Sequence, residues 1–155
     1  MRLELELVPK SCWYSNVRSN VSPRTWEDLR QRTFLRAGGR CLVCGKHDLE
    51  CHEVWEYDDR RAIQRLVRLD ALCHRCHRIK HFGFSLNSRE ARDTLAWFVA
   101  INQCSIDNAI EHIVNAFRVF EVRSAFEWRL DLTLLTRAYG IQLDHRGREA
   151  GADHV

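Results

Sequence analysis

Cys41-Leu-Val-Cys44 and Cys73-His-Arg-Cys76-His77-Arg-Ile-Lys-His81 decide how this 155-residue chain is read. Each stretch carries a C-x-x-C knuckle, and two residues between cysteines let both sulfurs reach one ion about 2.3 Å away. Four thiolates in paired knuckles suit tetrahedral zinc, so Cys41, Cys44, Cys73 and Cys76 are expected to hold a structural Zn²⁺ ion. The 28 residues between the knuckles exceed what a minimal zinc finger needs and leave room for a β-hairpin and the start of a helix.

Leu49 to Trp55 reads as a strand, Asp58-Asp59 as a turn, and Leu66 to Leu72 as the returning segment, after which the second knuckle opens a helix. The order is β, β, α. His77 and His81 stand four residues apart, which puts both imidazoles on one helical face where they can share a metal. A strand carrying His52 across that face would add a third nitrogen, and His52-Glu53 begins 25 positions before His77.

From Cys41 to Phe82 the chain resembles the HNH, or ββα-metal, nuclease family, in the version where a C-x-x-C pair flanks each side of the finger. The resemblance implies hydrolysis of DNA phosphodiester bonds with a divalent catalytic metal, Mg²⁺ or a transition ion such as Mn²⁺, Ni²⁺ or Zn²⁺. It places His52 at the strand ligand, Glu53 at the general base, and His77 and His81 at the helix ligands. An alternative alignment makes His52 the base, with Glu50 or Glu53 helping to hold metal. The family usually has histidine where Glu53 stands. Its middle asparagine has no counterpart, since no asparagine lies between His52 and His77, and Arg68 stands near that place. Arg68, Arg75, Arg78 and Lys80 are the expected phosphate contacts. A zinc-stabilised nucleic-acid-binding module without cleavage is the alternative, and a zinc-dependent protein-interaction domain is a third reading.

Charge agrees with a polyanionic partner. The net charge is only +3, yet Arg60 to Arg92 holds nine Lys or Arg against Asp70 and Glu90, so the metal-site segment is the basic one. The longest apolar run, Leu95 to Ile101, is too short to span a bilayer, and the alternating start lacks a signal-peptide core. These features predict a cytoplasmic protein without a membrane partner, and Cys12, Cys51 and Cys104 are expected as reduced thiols.

Around the finger, an α+β domain is expected: a zinc-stapled ββα-metal module at about 38–83, embedded in a small helical domain over 1–143, with a disordered tail at 144–155. Leu3, Leu5 and Leu7 alternate with charged residues, as do Phe126, Trp128, Leu130 and Leu132, so the two segments predict an antiparallel terminal β-pair. Ser22-Pro23 starts a helix that Gly38-Gly39 stops. Asn87 caps a helix to about Gln103 that buries Leu95, Phe98 and Val99, and Asp107 starts another with Ile110, Ile113, Val114 and Phe117 on one core-facing side. Trp13, Tyr14, Asn16, Arg18 and Asn20 read as a packed loop, with a second nucleic-acid contact as the alternative. His47, His74 and His112 read as surface residues.

Overall fold

A computed structural model describes residues 1–86 and 88–150. After a short 3-10 turn at Lys10–Cys12 come α1 (Pro23–Arg36), the hairpin strands β1 (Leu49–Asp58) and β2 (Ile63–Cys73), α2 (His74–Lys80), α3 (Phe82–Ser85), α4 (Ala91–Asn102), α5 (Ile106–Arg123), β3 (Arg129–Asp131) and α6 (Thr133–Tyr139). The architecture is α+β, with one three-stranded sheet in the order β1-β2-β3.

The start of α1 follows its expected chemistry. The Ser22 hydroxyl accepts from the Thr25 N–H, and Pro23, which has no N–H to leave unpaired, takes the first helical position. Gly38 and Gly39 end the helix at φ of +63° and +67°, values that cost a residue with a Cβ far more. The chain then enters the first knuckle, where Leu42 N–H donates to the Ala71 carbonyl at 3.0 Å and so ties the knuckle to β2.

β1 and β2 pair antiparallel from Leu49↔Cys73 to Asp58↔Ile63, with a bulge between Val54 and Trp55. Their alternation sorts apolar side chains to two sides. One core gathers Leu3, Leu72, Ile79, Phe98, Ile101 and Ala109 beside the knuckle cysteines. The other joins Val17, Val21, Leu29, Leu66, Leu69, Leu132 and Leu135 between α1, β2 and α6. Leu29, Leu69 and Leu135 are fully buried, each worth roughly 1.5–3 kcal/mol relative to exposure.

The terminal β-pair is corrected. Residues 1–9 form no strand, because helices already satisfy their backbone. The Asn102 side chain accepts from Leu3 N–H and donates to the Leu3 carbonyl, each at 2.9 Å, and Glu6 N–H donates to the Lys80 carbonyl at 3.0 Å. The carboxy-terminal segment contributes only β3, which pairs parallel to Ile63–Arg65 of β2. An Arg65–Asp131 ion pair at 3.0 Å supports that register.

Other outer elements also differ in detail. The hydroxyl of Ser105, not Asp107, caps α5 by accepting from Asn108 N–H. Within α4, Phe98 is fully buried, while Leu95 and Val99 are partly so; Asn87, the expected cap, lies outside the described residues. The anticipated core face of α5 is half open: Ile110 and Val114 are exposed, and only Ala109 of that helix is buried. His112 is not a bystander, since it stacks on Phe98 at 5.5 Å and accepts from Leu5 N–H at 3.4 Å. Residues 144–150, within the stretch expected as a tail, fold back instead: the Glu149 carboxylate accepts from Ser22 N–H and the Thr25 hydroxyl, both at 2.6 Å. Residues 151–155 lie outside the described residues. No helix among the described residues is long and apolar enough to cross a membrane.

Candidate metal centres and an adjoining cavity

Two groups of side chains among the described residues could hold a metal ion. The first is Cys41, Cys44, Cys73 and Cys76, whose sulfurs all lie within 4.8 Å of one another. The loop between the first two cysteines and β1 turns at Gly45, whose N–H donates to the Cys41 carbonyl at 2.9 Å, while Cys41 N–H donates to the Lys46 carbonyl at 2.7 Å. Burial pushes the Cys41 thiol up, but N–H groups of Cys73, Cys44 and Val43 aimed at its sulfur outweigh that and bring it down to about 7. Donors aimed at sulfur stabilise thiolate, the form that binds metal. Trp97 adds an indole N–H to the Cys76 sulfur at 3.4 Å, but burial, with the neighbouring cysteines, pushes the Cys76 and Cys73 thiols up.

The second group is His52, His77 and His81, each offering a ring nitrogen within 4.8 Å of the others. Helix α2 sets the latter two one turn apart, with their Nε2 atoms 3.1 Å from each other. His52, which is buried, comes from β1, and its ring centroid lies 5.2 Å from each of the other two. Burial lowers the pKa of both helix histidines, with neighbouring imidazoles adding to the effect; His81 falls to about 3. The rings are therefore neutral near pH 7, as ligation requires.

Carboxylates orient this cluster from behind. Glu50, two residues before His52 and so on the same face of β1, pairs with Nδ1 of His77 and, at 2.7 Å, with Nδ1 of His74. His74, expected as a bystander, thus steadies the carboxylate. Glu6 approaches His52 Nε2 at 3.0 Å, accepts from Trp55 N–H at 2.8 Å, and pairs with Lys80 at 3.3 Å. Burial raises its pKa, but His52, Lys80 and the Trp55 N–H overcome this and hold it at about 2. With Nε2 engaged by Glu6, His52 Nδ1 is left buried and without a partner. A buried nitrogen without a hydrogen-bond partner, beside two imidazoles whose Nε2 atoms face each other, fits a ligand set.

Glu53 is placed differently from His52. Regular pairing at His52↔Asp70 and Glu53↔Leu69 points their side chains to opposite faces, because the bulge comes only after Val54. The Glu53 carboxylate accepts from Val17 N–H at 3.1 Å, and burial pushes its pKa up to about 7. Both residues nevertheless border one cavity, of about 870 Å³, which passes along the free edge of β1. Trp13, Tyr14, Asn16 and Arg18 form part of its wall, as do Phe117 and Phe120 of α5. The loop and helix read as packing elements therefore also shape a hollow beside the histidines.

The expected phosphate contacts are not gathered in that hollow. Arg68 is paired with Asp70 at 3.0 Å and borders a separate, smaller hollow near α1 and α6. Arg75 lies over the Trp97 ring at 4.2 Å, and Arg78 pairs with Glu90 at 2.7 Å. Lys80 alone of the four reaches the cluster, through Glu6. Glu6 was missed by sequence reasoning, which placed it in a strand.

No protein-family model matches the chain, and no curated protein or solved structure matches it.

Proposed function

We propose that the protein is a metal-dependent endonuclease of the HNH type that hydrolyses DNA phosphodiester bonds. The observation that carries this reading is the convergence of His52, from a strand, with His77 and His81, from the helix that follows the second knuckle. Two metal sites with different chemistry support it. For the cysteines, tetrahedral zinc with bonds of about 2.3 Å separates sulfurs by roughly 3.8 Å, and sulfurs that all lie within 4.8 Å of one another allow this. That ion would staple the first knuckle to the end of the hairpin. The histidines leave space for exogenous ligands, as a catalytic site needs.

When bound, a divalent ion at the histidines supplies Lewis-acid stabilisation of negative charge on the phosphodiester and its leaving oxygen. Mg²⁺, Mn²⁺, Ni²⁺ and Zn²⁺ are the candidates, with imidazole favouring the transition ions. Glu50 and Glu6 fix the imidazole orientations. Glu53 takes the proton of the attacking water as a new P–O bond forms and the bond to the sugar oxygen breaks; a carboxyl titrating near 7 is matched to that task. Lys80 on α2, which reaches the cluster through Glu6, and Arg18 across the cavity would neutralise phosphates of the flanking strand, while Arg75, stacked on Trp97, and Arg78, paired with Glu90, are assigned no such contact. Arg68, held by Asp70 at a different hollow, is assigned no such contact.

A second reading, a zinc-stabilised DNA-binding module without cleavage, is favoured by one observation: no asparagine lies between His52 and His77, and Arg68 does not take that place. Incubating supercoiled plasmid with the protein and each of Mg²⁺, Mn²⁺, Ni²⁺ and Zn²⁺ separates the two. Nicked or linear product with at least one ion supports the nuclease. Salt-sensitive plasmid binding with no product under any ion supports the module.

A further inference from the structure

We infer that His52 binds the metal through Nδ1 rather than Nε2, and that Glu6 is the positioning residue that selects this nitrogen, so the metal centre extends to the amino-terminal segment. This rests on the metal site proposed above and adds to it the ligand atom of the strand histidine and the group that sets it. The three imidazoles stand where ligands of one ion would stand. Their ring centroids lie 5.2, 5.2 and 4.6 Å apart, and nitrogen–metal bonds of about 2.0–2.1 Å in tetrahedral geometry put neighbouring centroids roughly 5 Å apart.

Hydrogen bonding then separates the two nitrogens of His52. Nε2 faces the Glu6 carboxylate at 3.0 Å, whereas Nδ1 is buried and has no hydrogen-bond partner among the described residues. Donors brace Glu6 on both oxygens: the Trp55 N–H reaches Oε1 at 2.8 Å and the Lys80 ammonium reaches Oε2 at 3.3 Å. A carboxylate held between a backbone N–H and an ammonium acts toward a third group as an acceptor. Its contact with a neutral His52 therefore places the imidazole proton on Nε2 and the lone pair on Nδ1. Were Nε2 the ligand, the Glu6 oxygen on the same nitrogen would crowd the ion's place and converge with the imidazoles. The converging group is His52, His77 and His81, with no carboxylate in it.

His77 is set the opposite way, because Glu50 engages its Nδ1 and leaves its Nε2 3.1 Å from Nε2 of His81. Two carboxylates thus select different nitrogens on strand and helix, and a carboxylate behind a histidine ligand fixes its tautomer and raises its basicity. Glu6 serves this way because its segment is held in place. The Asn102 side chain bonds both the N–H and the carbonyl of Leu3 at 2.9 Å, and Glu6 N–H donates to the Lys80 carbonyl at 3.0 Å. Lys80 so grips Glu6 by backbone and by side chain, and the Glu6 side chain is only 14% exposed.

Long-range proton–nitrogen correlation NMR of protein with isotope-labelled histidines, with the knuckle zinc in place, tests this apart from cleavage. It reads the protonated and the ligating nitrogen of each imidazole before and after a further equivalent of Zn²⁺, and the His52 signals are those lost in His52→Gln. The parent is expected to keep the His52 proton on Nε2 in both states and to show the metal-induced shift on Nδ1, while His77 shows it on Nε2. Glu6→Ala is expected to lose the preference for the Nε2 proton, a change that lost packing alone would not produce, and to weaken calorimetric Zn²⁺ binding at the histidines about 10–100-fold. Glu6→Gln keeps an oxygen that can accept from Nε2 and is expected to restore the tautomer and most of the affinity; thermal melting follows the fold of both variants. A metal-induced shift on His52 Nε2 in the parent overturns the inference even where Glu6→Ala fails to fold, and so does an unchanged tautomer and affinity in folded Glu6→Ala. A parent that binds no further Zn²⁺ overturns it together with the metal site. Plasmid cleavage by a protein that ligates through His52 Nε2 refutes the nitrogen assignment and leaves the nuclease standing. Ligation through Nδ1 with no cleavage under any ion does the reverse.

Discussion

The Nε2 atoms of His77 and His81 lie 3.1 Å apart, one turn of helix from each other at the end of α2. Glu50 engages the Nδ1 atom of His77, so a neutral His77 with its proton on Nδ1 turns the Nε2 lone pair toward His81. A neutral His81 with its proton on Nε2 can donate to that lone pair, whereas the other neutral tautomer of His81 turns two lone pairs toward one point, the arrangement a metal ion would accept. The orientation of His77 is thus tied to a carboxylate 27 residues earlier on β1.

Glu50→Gln is accordingly expected to weaken binding of Ni²⁺ or Mn²⁺ at the histidines by about 10–100-fold, the usual effect of removing a carboxylate behind a histidine ligand. Calorimetric titration of zinc-loaded protein measures it. Unchanged affinity would mean that Glu50 serves only His74 and the surface.

One zinc per chain is expected to survive dialysis, held by Cys41, Cys44, Cys73 and Cys76. Elemental analysis should return it for the parent and lose it for Cys73→Ser combined with Cys76→Ser. A double variant that keeps its full zinc content would place the ion elsewhere.

For Glu53→Gln the expectation is a fall of roughly 10²–10⁴-fold in the single-turnover cleavage rate, the range for loss of a general base, with metal affinity retained. The amide oxygen can still accept from Val17 N–H, so the loop over β1 should stay in place. His52→Ala should instead lose the metal. Exchange of the two phenotypes would make His52 the base.

Glu149→Ala should cost about 1–2 kcal/mol of stability, since it removes a charged acceptor from the Ser22 N–H and the Thr25 hydroxyl at the start of α1. The readout is the denaturant midpoint. No change would show that residues 144–150 do not brace that helix.

Those parts of the fold written in short-range spacing were legible in the sequence. The knuckles, the hairpin between them and the i, i+4 histidines all lie within a single stretch of chain, and Ser22-Pro23 with Gly38-Gly39 bounded α1 through local backbone chemistry. Glu50 was weighed only as an aid to the metal, although its position two residues before His52 on a strand put both on one face. Glu6 was not legible. Its alternating neighbours share the period of a strand, while the contacts that fix it, to His52, Trp55 and Lys80, lie 46 to 74 residues away. The same blindness to long-range pairing produced the terminal β-pair, because alternation signals an extended segment and says nothing about its partner. The cavity escaped notice for a related reason: its aromatic walls come from the 13–18 loop, α1, β1, α3 and α5, and no one of these announces a cavity in isolation.

The central claim, that His52, His77 and His81 hold a metal used in cutting DNA, is tested most directly by single-turnover cleavage of supercoiled plasmid by the parent and by His77→Ala, with zinc content and melting temperature measured on the same samples. The account predicts metal-dependent nicking by the parent, no detectable nicking by His77→Ala, and a retained knuckle zinc with little change in melting. Metal-dependent nicking by His77→Ala at the parent's rate would contradict it.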